Sequence, residues 1–289
     1  MVLKQRPADA VTVIFLVFLT SLSVLFYNDI PRAPVLIIIY ASLFVTQIAI
    51  IKIRDLNKVF RFVHDLAFPA LCVFIIFDSL EWLVHYVNPE DIDLILIRID
   101  YMIFGNHPTV MLERIMSPLL TDVLQIAYST YYFIPLILGV VLLLNRQREE
   151  FERSIFLILF CFYLSFLGYI LMPALGPRFV LDSLQTRELK GLFVAEQIQN
   201  FLNYLEGIKR DAFPSGHTAV ALTVLYLAYR YRRNLFWILV PVVTALVFST
   251  VYCRYHYVVD VIAGFALTII TIILGEWYYG WWSRRVRQC

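Results

Sequence analysis

Ser154-Ile-Phe-Leu-Ile-Leu-Phe-Cys-Phe-Tyr-Leu-Ser-Phe-Leu-Gly-Tyr-Ile-Leu-Met172 runs without a single charged side chain. About 20 mostly apolar residues in a helix cross the hydrocarbon core of a bilayer, so this stretch reads as a membrane span. Outward from it the same signature recurs at 10–27, 34–51, 64–86, 119–144, 216–230, 235–252 and 257–282. The 216–230 segment is short unless it begins inside the polar motif that precedes it. Across the whole chain 61% of the 289 residues are hydrophobic, where a soluble domain has about 45–50%. The expectation is an all-α integral membrane protein of about eight transmembrane helices in a single membrane domain, 1–289. Its first helices, 1–87, carry no evident role, and a helical core at 119–282 carries the motifs. The polar connection 88–118 holds Ile92, Ile95, Ile97, Ile99 and Ile103. Their spacing predicts a short helix after the third span, lying at the interface rather than crossing it.

The net charge of +2 is too small to argue for nucleic acid as a partner. Cys72, Cys161, Cys253 and Cys289 are scattered, which suggests neither a disulfide framework nor a zinc site. Lys4 and Arg6 precede an apolar run with no small-residue cleavage site after it, so an uncleaved first span is expected. With eight spans, 15 of the 24 Lys and Arg residues fall on the side of the two termini. Cytoplasmic loops carry the excess of Lys and Arg. Both termini are therefore expected in the cytoplasm, and 88–118, 173–215 and the turn before residue 256 on the periplasmic, extracellular or lumenal face.

Three polar clusters fall on that outer side: Pro173-Ala-Leu-Gly-Pro-Arg178, Phe213-Pro-Ser-Gly-His-Thr218 and Tyr252-Cys-Arg-Tyr-His-Tyr-Val-Val-Asp260. Each sits at a helix end, so packing can join them in one pocket. On a helix His256 and Asp260 would share a face one turn apart. A carboxylate there would hold one imidazole nitrogen and leave the other as nucleophile or base. Ser215 and Gly216 would open a helix whose amides and dipole form an anion site, with His217 in its first turn as a proton donor. Arg178 and Arg254 carry guanidinium groups suited to phosphate oxygens. Two histidines, a carboxylate and arginines at a bilayer surface point to phosphoryl transfer, where positioning and charge stabilisation dominate. No metal and no cofactor are expected, since cations and a helix dipole supply the positive field.

Phe-Pro-Ser-Gly-His at 213–217, followed about 40 residues later by His256-Tyr-Val-Val-Asp260-Val-Ile-Ala-Gly264, resembles the type 2 phosphatidic acid phosphatase superfamily. The resemblance covers about 173–264. It implies that His217 is the general acid, that His256 is the nucleophile forming a phosphohistidine, and that Asp260 orients it. Two of the motifs depart from the family pattern. Where the first motif has a lysine and Arg-Pro, this chain has Leu171, Arg178 and Phe179. Where the third motif has an arginine six residues before its histidine, Thr250 stands here. Arg254 is expected to reach back along a continuous helix to supply that charge, and Lys209 and Arg210 to replace the lysine. The altered clamp resembles the inositol phosphorylceramide synthase branch, which transfers a phospho-head-group between lipids and so points toward sphingolipids. Asp100-Tyr-Met-Ile-Phe-Gly-Asn-His107-Pro108 has the character of the same branch, which makes His107 and Asp100 candidates for the substrate pocket.

Three functions follow as expectations. One is a lipid phosphotransferase with an alcohol or second lipid as acceptor. Another is a simple lipid phosphate phosphatase, of the phosphatidic acid or polyprenyl phosphate type, with water as acceptor. The last is a non-catalytic lipid-binding or transport protein. The plainer readings are kept for other residues: Asp78, Glu81 and His85 could share one face of the third span but fit an interfacial end, and Tyr128, Tyr131 and Tyr132 fit packing.

Overall fold

The computed structural model describes residues 5–205 and 210–288, which form helices and turns without strands. The main helices are α1 (Pro7–Leu25), α2 (Ala33–Ile53), α3 (Lys58–Trp82), α4 (Asp93–Phe104), α5 (Pro118–Tyr132), α6 (Ile134–Leu144) and α7 (Arg148–Leu171). They continue with α8 (Ala195–Leu205), α9 (Gly216–Tyr231), α10 (Arg233–Tyr252) and α11 (Val258–Gln288). Short turns join them. The protein is an integral membrane protein. Among the described residues six helices are long and apolar enough to cross a membrane, and α5 with α6, bent by 52°, make a seventh crossing if taken as one broken span. α9 has 16 residues and falls short on length, so the expected count of eight is not reached by length and composition.

The bundle is organised around α7. Its spanning window is 67% buried, against 33–39% for the other spans, because α1, α6, α9 and α11 all pack on it. Between lipid-immersed helices there is no hydrophobic drive, so close approach depends on small residues and polar contacts. Gly264 shows this: a Cβ there would lie 2.7 Å from the Ser215 carbonyl oxygen and 2.8 Å from Thr218 Cβ. The glycine lets α11 seat directly against the start of α9.

Contacts also mark the two ends of the bundle. At one end Arg6 pairs with Asp9 at 3.1 Å and Asp65 at 2.9 Å. Around them Gln47 Nε2 donates to Asp9, His64 lies between the two aspartates, and Arg148 reaches Asp65. His64 and Asp65 sit on a one-turn π-helix, 63–67, inside α3. Arg232 donates to Gln147 at the same end. At the other end Asn88 Nδ2 donates to the Leu171 carbonyl, Thr121 and Tyr252 hydroxyls meet at 3.1 Å, and the three sequence clusters gather.

The helix expected in 88–118 exists as α4, but its faces run opposite to simple amphipathicity. Leu94, Ile95, Tyr101, Met102 and Ile103 are exposed, while Asp93 and Asp100 are buried. Asp78, Glu81 and His85 lie at the end of α3, as the interfacial reading has it. α3 loses its α-helical turn at Leu80–Trp82, and Asp78 and His85 are exposed.

Candidate active site

The sequence clusters meet. His256 Nε2 and His217 Nδ1 are 3.4 Å apart, and both rings are buried. His217 stands in the first turn of α9, whose N-cap is Ser215; the Ser215 hydroxyl accepts the Thr218 amide. The Ser215 amide itself donates to the Asp260 carbonyl at 3.1 Å, so it serves the α9–α11 junction rather than an anion. The His217 ring lies between Tyr128 and Tyr131, with centroids at 4.5 and 4.1 Å. Tyr128 stacks on Tyr255 at 4.2 Å, and the Arg178 guanidinium lies over Tyr255 at 5.1 Å. Two of the three tyrosines read as packing residues therefore set the orientation of the general-acid candidate.

His256 is not on a helix with Asp260. α10 ends at Tyr252 and α11 begins at Val258, so His256 lies in the turn between them. Its Nδ1 lies 2.7 Å from the Ala212 carbonyl oxygen, whereas Asp260 Oδ2 is 3.6 Å away. A carbonyl can only accept, so in the neutral ring Nδ1 carries the proton and Nε2 keeps its lone pair. The expectation that Asp260 takes that proton is corrected: the Ala212 backbone does, and Asp260 accepts the Tyr257 amide at 2.8 Å while its second oxygen is buried without a hydrogen-bond partner.

The cations divide. Arg254 does not reach back along a continued helix. It sits in the turn with φ +67°, its guanidinium bonded to Glu113 at 2.8 Å and to the Arg187 carbonyl. Arg210 is held by both oxygens of Asp91 at 2.7 and 3.1 Å. Lys209 lies outside the described residues. The Arg178 backbone amide donates to the Arg254 carbonyl, which joins the first motif to the third. At Gly176, φ is +90° and a Cβ would stand 2.7 Å from the Tyr255 carbonyl oxygen, so only glycine allows that approach.

Four carboxylates that the motifs did not single out for this purpose build the frame. Asp93 accepts the Leu175 and Gly176 amides at 2.9 Å each and the Tyr257 hydroxyl at 2.8 Å. Asp100 accepts the Val258 and Val259 amides at 2.9 Å and so caps α11. It is occupied as a cap rather than placed as a substrate contact, and burial pushes its carboxyl above the usual range despite the two amides. His107 packs its ring on Tyr101 at 5.5 Å. Asp122 accepts four successive amides, Leu192 to Ala195, at the start of α8. Glu113 accepts the Thr186 amide and hydroxyl and the Arg187 amide. The legible signal was acidic residues on otherwise apolar helical stretches, each of which needs a partner.

Asp122 and Glu113 thus pin the connection 186–195 as a strap. Burial alone would raise the Glu113 carboxyl, but the Thr186 and Arg187 hydrogen bonds and the Arg254 charge outweigh it and hold it below the ordinary range. A depressed carboxyl contributes in full above its ordinary value and loses that contribution only as pH falls through the lower, folded value. The strap should therefore stay fastened at pH 5. In Glu113→Ala, hydrogen exchange at the Thr186 and Arg187 amides should quicken about tenfold at neutral pH, the loss of roughly one charged hydrogen bond. Unchanged exchange would mean that another contact holds the strap.

Residues 94–274, more than half of the chain, match the sequence model of the PAP2 superfamily. A PA-phosphatase related-family protein of Dictyostelium discoideum is 22% identical over 186 residues, covering 57% of this chain and 34% of its own length. The lipid A 4'-phosphatase of Porphyromonas gingivalis is 25% identical over 162 residues, covering 50% of this chain and 66% of its own length. This chain thus spans about a third of the first relative and under two thirds of the second. No solved structure matches.

Proposed function

The chain belongs to the PAP2 superfamily, and from that premise we propose that it is a membrane lipid phosphatase whose phosphoryl group passes through His256. The observation that carries the reading is the Nδ1 contact with the Ala212 carbonyl, because it leaves the Nε2 lone pair facing His217. Nε2 attacks phosphorus; a phosphorus–nitrogen bond forms as the bond to the lipid oxygen breaks. His217 gives its Nδ1 proton to that oxygen, and the lipid alcohol departs. Water then attacks the phosphohistidine, His217 takes its proton, and phosphate leaves. At 3.4 Å the two nitrogens leave no place for phosphorus on the line between them. The phosphoryl group therefore enters beside that line, with Arg178 and the first turn of α9 as its positive surroundings. Asp260, 3.6 Å from Nδ1, steadies the positive charge that builds on His256. The site lies on the face opposite the Arg6–Arg148 end, which fits cytoplasmic termini and an outward-facing site.

A second reading, transfer to an alcohol as in the inositol phosphorylceramide synthase branch, is favoured by one observation. Arg254 and Arg210 are already balanced by Glu113 and Asp91, which leaves less net charge for a dianionic monoester and suits a singly charged phosphodiester. Purified protein should release inorganic phosphate from phosphatidic acid without an added acceptor. If release requires a second alcohol, and a phosphodiester product forms in proportion to it, the transferase reading replaces the phosphatase. If neither substrate turns over and no phosphohistidine can be trapped, both fail in favour of a lipid-binding protein.

A further inference from the structure

We propose that the cavity beside His217 holds one hydrocarbon chain of the lipid substrate, and that α3, from the N-terminal part of the chain, selects which chains fit. The proposal rests on the reading of His217 as part of the phosphoryl-transfer site. The cavity is lined by Leu66, Val73 and Phe77 of α3, by Ile155 and Phe162 of α7, and by His217. Its lining runs along α7 from Ile155 to Tyr169, about 21 Å at 1.5 Å per residue. A lining of that length suits an extended hydrocarbon chain.

The walls are apolar except for tyrosine hydroxyls and the histidine. Such a space does not hold water well and gains from hydrocarbon. It opens sideways rather than at the end of the bundle. Phe74 is 45% exposed and Leu136 37%, and the Phe74 and Tyr132 rings stack at 5.9 Å beside the opening. That opening lies where α5 breaks into α6, at the 52° bend. A lipid in the bilayer can therefore slide in between α3 and α6 while its phosphate reaches the histidine pair. The stretch matched to the PAP2 superfamily starts at residue 94, so α3 lies wholly outside it. The wall that α3 contributes to the cavity is thereby supplied from outside the matched stretch, while α7 and the α5–α6 break supply the rest from within it.

The test is photocrosslinking of the intact protein with phosphatidic acid that carries a diazirine at mid-chain, irradiated before turnover. Adducts are expected in peptides spanning 73–77 and 159–166. Excess unlabelled long-chain phosphatidic acid should compete them away, and Val73→Trp should reduce them at least tenfold. Adducts confined to other helices, or unaffected by Val73→Trp, overturn the proposal. In parallel, Val73→Trp should lower the ratio of kcat/KM for a long-chain over a dibutyryl phosphatidic acid at least tenfold; an unchanged ratio also overturns it. The catalytic reading fails separately. Adducts at 73–77 without phosphate release from any substrate would leave the cavity standing and remove the phosphatase, and phosphate release with adducts elsewhere would do the reverse.

Discussion

Replacing His256 with alanine is expected to abolish phosphate release, with a loss of up to about a millionfold, the scale seen when a nucleophile or its base is removed from a hydrolase. His217→Ala should cost less, about 10²–10⁴-fold, the usual share of a general acid. The difference has a structural basis. Nε2 of His256 is presented by a backbone carbonyl that no side-chain change removes. His217 delivers a proton, and water or a good leaving group can partly stand in for it. A lipid analogue with an acidic leaving alcohol should therefore rescue His217→Ala and not His256→Ala. The measurement is phosphate release from both esters by wild type and both variants, with acid-labile phosphate on the protein followed alongside. Equal rescue of the two variants would mean that the roles are exchanged. Activity surviving in His256→Ala would end the phosphohistidine route.

Asp93→Ala should be the most damaging change outside the histidines. It takes one acceptor from two backbone amides and a tyrosine hydroxyl, in a place where water does not readily replace it. An unsatisfied buried donor costs about 1–3 kcal/mol, so a loss of roughly 3–5 kcal/mol is expected. It should appear as a lower unfolding temperature in detergent. Activity should fall about a hundredfold or more even in the folded fraction, because Gly176 abuts the Tyr255 carbonyl and loosening one motif displaces the other. Asp93→Asn keeps an acceptor oxygen and should recover much of the stability. A variant as stable and active as wild type would show that the first motif holds its shape without α4.

What the sequence made legible followed from length and polarity. Continuous apolar runs such as 154–172 announce spanning helices because the bilayer sets the required length. The pairing of His217 with His256 was readable because both lie at span ends on one side. Four things were hidden. Helix continuity was assumed from Thr250 to Arg254, yet α10 stops at Tyr252 and the positive φ of Arg254 turns its side chain toward Glu113. The partner of His256 Nδ1 is a main-chain oxygen, and a carbonyl leaves no trace in residue identity. The inward carboxylates of α4 defeat an amphipathicity argument, because the apolar face of that helix points away from the protein. Arginines also read as phosphate ligands until their acidic partners are located in space, as Asp91 and Glu113 show.

The ionic knot around Arg6 has a practical side. Two buried aspartates from different helices share that guanidinium, and the glutamine, histidine and second arginine beside them are arranged around it. Losing Arg6 would take away the cation that Asp9 and Asp65 share, leave Arg148 to balance Asp65 and the more distant Arg54 to balance Asp9, and loosen the first helix from the third.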